Sequence, residues 1–284
     1  MELIFSAALC SVLVSILLKV CKSKGLEPMQ MIAWNYAAAS ILCFFWFKPD
    51  LVHLSFSQTP WWLIATLGVV LPSIFLCLAK SLETAGILKT EVAQRLSVVL
   101  SLIAAYFLFG EQFSSLKMLG IAIGLIAVLM IVFAKSAGGL SQAQTAKATM
   151  NLLLIWCGYA LVDILLKYTT SLGMQFAVSL NLMFIFAFVL SFGYLSLRKT
   201  LWTKNNVLAG LSLGVLNFAN IALYVKAHML LKDSPAIVFA GMNILVVVFG
   251  VIAGRFIFKE TMSWLVITGL FLGVVGVCIL SLSM

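Results

Sequence analysis

Two charged residues, Glu91 and Arg95, interrupt an otherwise apolar part of this chain. They lie four residues apart, so on a helix they share one face and can pair. Counting back from Glu111, the charge-free stretch reaches only Leu96, which is too short to cross a bilayer. Arg95, with Glu91, is therefore predicted to enter the membrane and bind an anionic group, because charges there are usually functional. The alternative is that Arg95 extends to the nearby membrane face with Glu91 as its neutralising partner.

Asp163 brings another ionisable group into an apolar segment. It lies between Tyr159 and Lys167 at four-residue spacing, so the three side chains share one helical face. We predict that Tyr159 binds substrate and that Asp163 is the proton-coupling or ammonium-binding carboxylate, because a buried polar stripe must face protein or a water-filled cavity. The alternative is an ion pair between Asp163 and Lys167 near the membrane face. The same spacing recurs near the N-terminus, and the residues of both stripes predicted to line a cavity are Ser11, Ser15, Lys19 and Lys167.

Amide side chains form a third polar group. Asn217, Asn220 and Tyr224 follow a helical spacing, and Asn243 is central in the next apolar segment. Buried amides either hold helices together or recognise amino, carboxyl and hydroxyl groups. We predict that these four side chains bind substrate. Weaker candidates for lining the same cavity are Asn35, Tyr36 and Asn181.

The composition places these residues in a membrane protein. Hydrophobic residues make up 63% of the 284 residues and charged residues 10%, and the mean hydropathy is +1.17. A soluble domain of this length needs more charged surface. Segments of about 20 apolar residues can cross a bilayer, and the candidates are 3–20, 29–47, 61–79, 88–109, 116–134, 149–167, 174–197, 207–225, 235–257 and 263–283. We predict an all-α polytopic protein with ten transmembrane helices, in a bacterial inner membrane.

One segment of the chain occurs twice. FGEQFSSLKMLGIAIG, which begins at Phe109, matches FKETMSWLVITGLFLG, which begins at Phe258. The chain is therefore predicted to contain two five-helix repeats, 1–135 and 149–284, joined by a linker at 136–148. Five spans per repeat is an odd number, so the second repeat must be inverted in the membrane. Inverted repeats are typical of alternating-access carriers with a midplane site, although duplication could instead serve stability alone.

The remaining motifs indicate structure rather than chemistry. Glu111 and Glu260 end their helices, where each is predicted to cap a turn or pair with a loop cation. Six scattered cysteines, two isolated histidines and the absence of HExxH, GxSxG and Walker motifs predict no metal, no cofactor and no enzymatic activity. The net charge of +9 is attributed to loops at the membrane faces rather than to nucleic-acid binding. Small residues that permit close helix contact, within the chain rather than in a dimer, are Gly120, Gly124, Gly269 and Gly273.

Five-plus-five spans, a helix ending in FGE before a Gly-rich helix, and the FKE counterpart resemble the drug/metabolite transporter (DMT) superfamily, EamA type. The resemblance extends over essentially the whole chain. It implies an inverted-repeat carrier whose central cavity is lined by spans 1–4 and 6–9, with spans 5 and 10 at the periphery. Members commonly export amino acids or other small metabolites, and relatives move nucleotide sugars, sugar phosphates, choline or lipid-linked groups. This chain departs from the family in the first half of the fourth span, which carries Lys89, Glu91, Gln94 and Arg95.

We therefore expect a secondary active transporter that moves a small polar metabolite, such as an amino acid, by alternating access, with efflux as the expected direction. Its expected partners are the substrate, the bilayer and protons as coupling ion, and it would be a monomer or homodimer. A lipid or polyprenyl-linked group translocase of the same superfamily and a non-transporting membrane scaffold are the alternatives. Lys and Arg are more numerous in the loops opposite the termini, which favours a cytoplasmic position for those loops. Family members, in contrast, are often drawn with cytoplasmic termini.

Overall fold

The computed structural model is nearly all helical, and it describes residues 1–54, 56–57, 59–110, 112–134, 141–231, 233 and 235–283. Within these residues, ten helical segments are long and apolar enough to cross a membrane. In chain order the ten spans are Glu2–Ser23, Pro28–Phe47, Trp61–Thr84, Ile87–Phe109, Ser115–Phe133, Gln142–Ser171, Phe176–Leu197, Lys204–Leu230, Pro235–Ile257 and Trp264–Leu282. The predicted set of ten membrane helices is confirmed.

Capping side chains explain where several spans begin. The Glu27 side chain accepts a hydrogen bond from the Gln30 N–H at 2.7 Å, directly before the second span. Ser141 and Gln144 form a capping box before the sixth span. That box starts the sixth span at Gln142, so residues 142–148 belong to this helix and not to the linker predicted at 136–148. The first part of that predicted linker, 136–140, lies outside the described residues.

Two spans contain an irregular segment. The fourth span consists of a nine-residue helix, Ile87–Arg95, and a second helix, Ser97–Phe109, separated at Leu96. We call Ile87–Arg95 the short helix. The ninth span is regular over Pro235–Ile252 and ends in a π-helical turn, Ala253–Ile257. Such turns are often found at functional sites.

The helices pack in matched pairs. The first span packs on the eighth and ninth, and correspondingly the sixth span packs on the third and fourth. The contact of the second span with the eighth is matched by that of the seventh with the third. The second and seventh, the fourth and ninth, and the fifth and tenth spans pack on each other. Each of these contacts is reproduced when spans 1–5 exchange places with spans 6–10.

The fifth and tenth spans form a close pair through small residues. A Cβ added at Gly269 would lie 2.7 Å from Cγ1 of Ile131, and one added at Gly120 would lie 2.9 Å from Cγ of Leu280. Both distances are too short for a real side chain, so glycine allows the two helices to approach. The predicted small-residue contacts therefore lie within the chain.

Candidate substrate-binding site

A cavity of about 820 Å³ lies between the spans. Its described lining residues come from spans 1–4 and 6–9, as the family resemblance implied. The volume is within the range of small-molecule sites. Most of the wall is apolar, and its larger apolar side chains are Leu71, Phe75, Leu78, Leu166, Phe176, Leu180, Met183, Phe184, Ile221, Met229, Phe239 and Met242. The cavity can therefore hold a small metabolite with an apolar part.

Among the described residues, the lining of the cavity reaches one side of the molecule. Ten crossings leave both chain ends at one membrane face, which we call the terminal face; the other is the opposite face. Near the terminal face the lining includes Phe176, at the start of the seventh span, and His228 and Met229, in the last turn of the eighth. On the first span the lining stops at Ser15, about three-fifths of the way along the helix. Within the described residues, the protein is therefore closed toward the opposite face.

Arg95 lies at the inner end of this cavity, on the last residue of the short helix. One of its guanidinium nitrogens, Nη2, donates a hydrogen bond to the hydroxyl of Ser11. Its Nε is buried and has no hydrogen-bond partner among the described residues. A buried donor without a partner is costly, so this atom is suited to a ligand oxygen.

Glu91 is fully buried behind the cavity wall. The Ser15 hydroxyl donates to one of its carboxyl oxygens, and the other oxygen is without a hydrogen-bond partner in the described part of the chain. Glu91 and Arg95 do not form an ion pair within 4.0 Å, contrary to the pairing that their four-residue spacing predicted. The reason is that the first span supplies a separate serine to each side chain. Glu91 is therefore placed to orient Ser15 rather than to line the cavity.

The break at Leu96 is held by the sixth span. The indole N–H of Trp156 donates to the Leu96 carbonyl oxygen at 3.0 Å, in a buried position. A carbonyl at the end of a helix has no partner inside that helix and needs one from elsewhere. Trp156 supplies it, and so fixes the end of the short helix that carries Arg95.

Asp163 is exposed to the cavity, although it lies well inside the sixth span. Its Oδ2 accepts a hydrogen bond from the Ser101 hydroxyl at 3.1 Å. Tyr159 lines the same cavity one turn away. The arrangement leaves a carboxylate facing a cavity that reaches the terminal face, where it can exchange a proton or meet an ammonium group.

The predicted amides lie on two helices beside the cavity. Asn217 donates through Nδ2 to Oδ1 of Asn35 at 3.2 Å, and so joins the eighth span to the second. Oδ1 of Asn220 is buried and unpartnered among the described residues. Asn243 donates to the carbonyl oxygen of Phe239 in its own helix at 2.8 Å. Asn220 thus has a free acceptor for a ligand, whereas Asn217 and Asn243 each use a donor within the protein.

The cavity contains most of the predicted side chains but not all of them. Those that line it are Ser11, Ser15, Tyr36, Arg95, Tyr159, Asp163, Asn217, Asn220, Tyr224 and Asn243. Those that do not are Lys19, Asn35, Glu91, Lys167 and Asn181.

The excluded residues have structural partners instead. Lys19 binds Glu260 at the opposite face, and Asn35 accepts from Asn217 within the wall. The Lys167 ammonium lies 5.1 Å from the ring centre of Phe109, and Asn181 donates to the Ser40 carbonyl oxygen at 2.9 Å. Lys19 continues its helical stripe past the inner end of the cavity to the opposite face, whereas Lys167 lies near the terminal face and turns toward Phe109. Periodicity alone does not distinguish these positions from the cavity wall.

The repeated segment contains two glutamates, Glu111 and Glu260. Glu260 pairs with a cation, as predicted, but that cation comes from the first span and not from a loop. Glu111 lies outside the described residues.

Three polar lining residues were not predicted: Gln94, Ser97 and His228. His228 is one turn beyond Tyr224, and the two rings contact edge to face at 4.7 Å. It therefore extends the stripe of Asn217, Asn220 and Tyr224, and that spacing was the signal that could have found it. Ser97 follows the break at Leu96, which has no obvious sequence signature because it contains neither proline nor glycine.

Comparison with known proteins identifies the family of this chain. Residues 2–133 match the EamA-like transporter family. An uncharacterized protein of Haemophilus influenzae is 39% identical over 269 residues, a match that covers 92% of this chain and 91% of the relative. A crystal structure with 15% sequence identity has the same fold, with a TM-score of 0.61 over 99% of this chain and 96% of the solved chain. The protein is a multi-pass membrane protein, and the bacterial relative is consistent with an inner membrane. The chain belongs to the EamA-like transporter family, within the drug/metabolite transporter superfamily.

Proposed function

We propose that this protein is a secondary active transporter that exports a small metabolite with both charged and apolar parts, such as an amino acid. The observation that carries the proposal is the cavity of about 820 Å³ with Arg95 and Asp163 in an otherwise largely apolar wall. A carboxylate would bind Arg95, and an ammonium group or a proton would bind Asp163. The apolar wall would receive the remainder of the solute.

Alternating access is supported by the matched helix contacts. The contacts among spans 1–5 and 6–10 are reproduced when the two sets exchange places. We interpret this as an inverted repeat, with domains formed by residues 1–135 and 149–284. Two conformations related by that exchange would open the cavity to one face and then to the other. The structure has the cavity at the terminal face, and under this proposal it would represent the state that is open there.

The first experiment identifies the solute class. The purified protein is heated in detergent with the twenty common amino acids and with their decarboxylated amines, since a ligand that binds only the folded state raises its melting temperature. Stabilisation by an amino acid but not by its amine is the expected result, because Arg95 needs a carboxylate. Stabilisation by anionic lipid alone would favour the lipid-translocase alternative.

The second experiment tests the two charged groups in liposomes. Arg95→Gln should reduce flux of the identified carboxylate solute by at least about ten-fold, the effect of losing one charge-assisted hydrogen bond. Asp163→Asn should abolish the stimulation of flux by a proton gradient. Asp233→Asn, in an exposed loop position, is the matched control and should leave both properties unchanged. Proton-stimulated flux that persists in Asp163→Asn would remove Asp163 from the coupling role.

A further inference from the structure

A cluster centred on Glu260 lies at the opposite face, away from the cavity. The Glu260 carboxylate accepts from the Lys19 ammonium at 2.6 Å, from the Ile87 backbone N–H at 2.7 Å and from the Leu88 N–H at 3.2 Å. The side chains of Lys19 and Glu260 are only 20% and 17% exposed. The same ammonium lies 4.4 Å from the ring centre of Phe258. The carboxylate is therefore well enclosed.

The backbone around this carboxylate is shaped to receive it. A Cβ added at Gly86 would lie 2.6 Å from Glu260, and one added at Gly254 would lie 2.9 Å from its Oε2. Gly86 also has φ +89°, which other residues rarely adopt. Alanine at either position would collide with the Glu260 side chain. The two glycines thus leave room for a carboxylate at this point.

The Glu260 side chain caps the N-terminus of the short helix, although it comes from the connection between the ninth and tenth spans. The first N–H groups of a helix have no partner within it and carry partial positive charge. Gly86, the residue before the short helix, has no side chain that can cap it. Glu260 supplies the missing acceptor, and Lys19 binds the same carboxylate from the first span. Three separate parts of the chain are therefore joined at one carboxylate.

The short helix connects the Glu260 cluster to the candidate substrate-binding site. Ile87 and Arg95 are the two ends of the short helix, about 12 Å apart at 1.5 Å per residue. A helix of this length moves as a unit, so any displacement of Arg95 is transmitted to its capped end. The other end is fixed by Trp156 at Leu96.

We propose that Lys19, Glu260 and the first turn of the short helix form a latch that closes the opposite face, and that the latch separates when the carrier opens there. This inference rests on the proposed transport function. Opening toward the opposite face requires the first span, the fourth span and the connection after the ninth to move apart, and these are the parts that Glu260 joins. Glu260 is thus a positioning residue for Arg95.

The test is chemical accessibility of a residue behind the latch. Ser81 is fully buried, and its hydroxyl lies 2.8 Å from that of Thr90 in the short helix. Ser81→Cys is introduced after the six native cysteines have been replaced, and a membrane-impermeant maleimide is applied from the opposite face. Glu260→Gln should increase the labelling rate by at least about ten-fold, the scale expected for weakening a charge-assisted hydrogen bond. A labelling rate equal to that of the parent would overturn the proposal.

Two controls distinguish opening of the latch from a general loosening of the fold. Lys22→Gln removes a second ion pair at this face, between Lys22 and Glu83, where Glu83 is 59% exposed. It should leave labelling at position 81 unchanged. Ser179→Cys reports on a buried site near the terminal end of the seventh span, so the reagent is applied to it from the terminal face, and Glu260→Gln should leave its labelling slow. Equal acceleration at both reporter positions would mean that the fold has loosened, and it would also overturn the proposal.

A double variant tests whether the two side chains act together. If Lys19 and Glu260 form one latch, Lys19→Met combined with Glu260→Gln should label no faster than the faster single variant. Multiplied effects would show independent roles and contradict the latch. Labelling requires no transported solute, so the latch and the proposed function can fail separately: absence of flux with the expected labelling pattern would reject only transport.

Discussion

Gly214 lies where the eighth span packs on the second, and the space around it shows how close the two helices are. A Cβ added there would lie 2.5 Å from the Asn35 carbonyl oxygen and 2.7 Å from Cβ of Ala38. An ordinary contact needs at least 3.4 Å, so the two helices would have to separate locally by about 0.9 Å. Two packed backbones cannot yield as easily as a flexible side chain can. Gly214→Ala should therefore destabilise the protein.

The magnitude follows from two opposing effects. Overpacking a well-filled contact costs about 1–3 kcal/mol, whereas replacing glycine by alanine within a helix contributes up to about 1 kcal/mol of stabilisation. Because the clash is with backbone, the cost is expected at the upper end of that range, and the net loss for Gly214→Ala is about 2 kcal/mol. Gly193 in the seventh span is the matched control, because no atom lies within 4 Å of an added Cβ there. Gly193→Ala should be neutral or stabilising by up to about 1 kcal/mol.

The assay is reversible unfolding of the purified protein in mixed micelles with increasing denaturing detergent, followed by tryptophan fluorescence. Gly214→Ala should unfold at a lower detergent fraction than the parent, and Gly193→Ala at the same fraction or a higher one. Solute affinity should also fall in Gly214→Ala, because separation of the helices stretches the hydrogen bond between Asn217 and Asn35. Equal stability of Gly214→Ala and Gly193→Ala would refute the close contact on which the position of Asn217 depends.

Two further outcomes are expected. Trp156→Phe removes the donor to the Leu96 carbonyl and should destabilise the protein by about 1–3 kcal/mol in the same assay, whereas Trp264→Phe, at a position that is 82% exposed, should change stability little. Outside the membrane, the side-chain hydrogen bond from His53 holds the pKa of Asp50 below its ordinary value. Any stability contributed by Asp50 is therefore present above its unfolded pKa and lost only as the pH falls through the lower folded pKa. Asp50→Asn should accordingly leave the pH profile of flux between about pH 5 and 8 unchanged, and a shifted profile would contradict this assignment.

The number of spans and much of the cavity could be predicted because both depend on local patterns. Length and hydropathy identify a membrane helix, and four-residue spacing places Tyr159 and Asp163 on one face. The same periodicity cannot tell where along a stripe the cavity ends, which is why Lys19 was assigned to the cavity. Depth in the membrane depends on how neighbouring helices pack.

The partners of Glu91 and Glu260 could not be predicted from spacing. Ser15 reaches Glu91 from a helix 76 residues earlier, and Lys19 reaches Glu260 from 241 residues earlier. Such contacts arise only when helices that are far apart in the sequence pack on each other. The pairing of Glu91 with Arg95 was the best local alternative, and tertiary contacts with the first span displaced it.

The interruption of the fourth span at Leu96 has a kinetic consequence for the proposed carrier. The ninth span is continuous through Ile244, the residue aligned with Arg95, so the two halves do not offer a solute the same groups. A solute with one positive and one negative end would reach Arg95 early in its passage from one face and late in its passage from the other. Its half-saturating concentration and its maximal flux would then differ between the two directions, while the final distribution would still be set by the gradients alone. A nearly symmetric carrier can in this way have different maximal transport rates in its two directions.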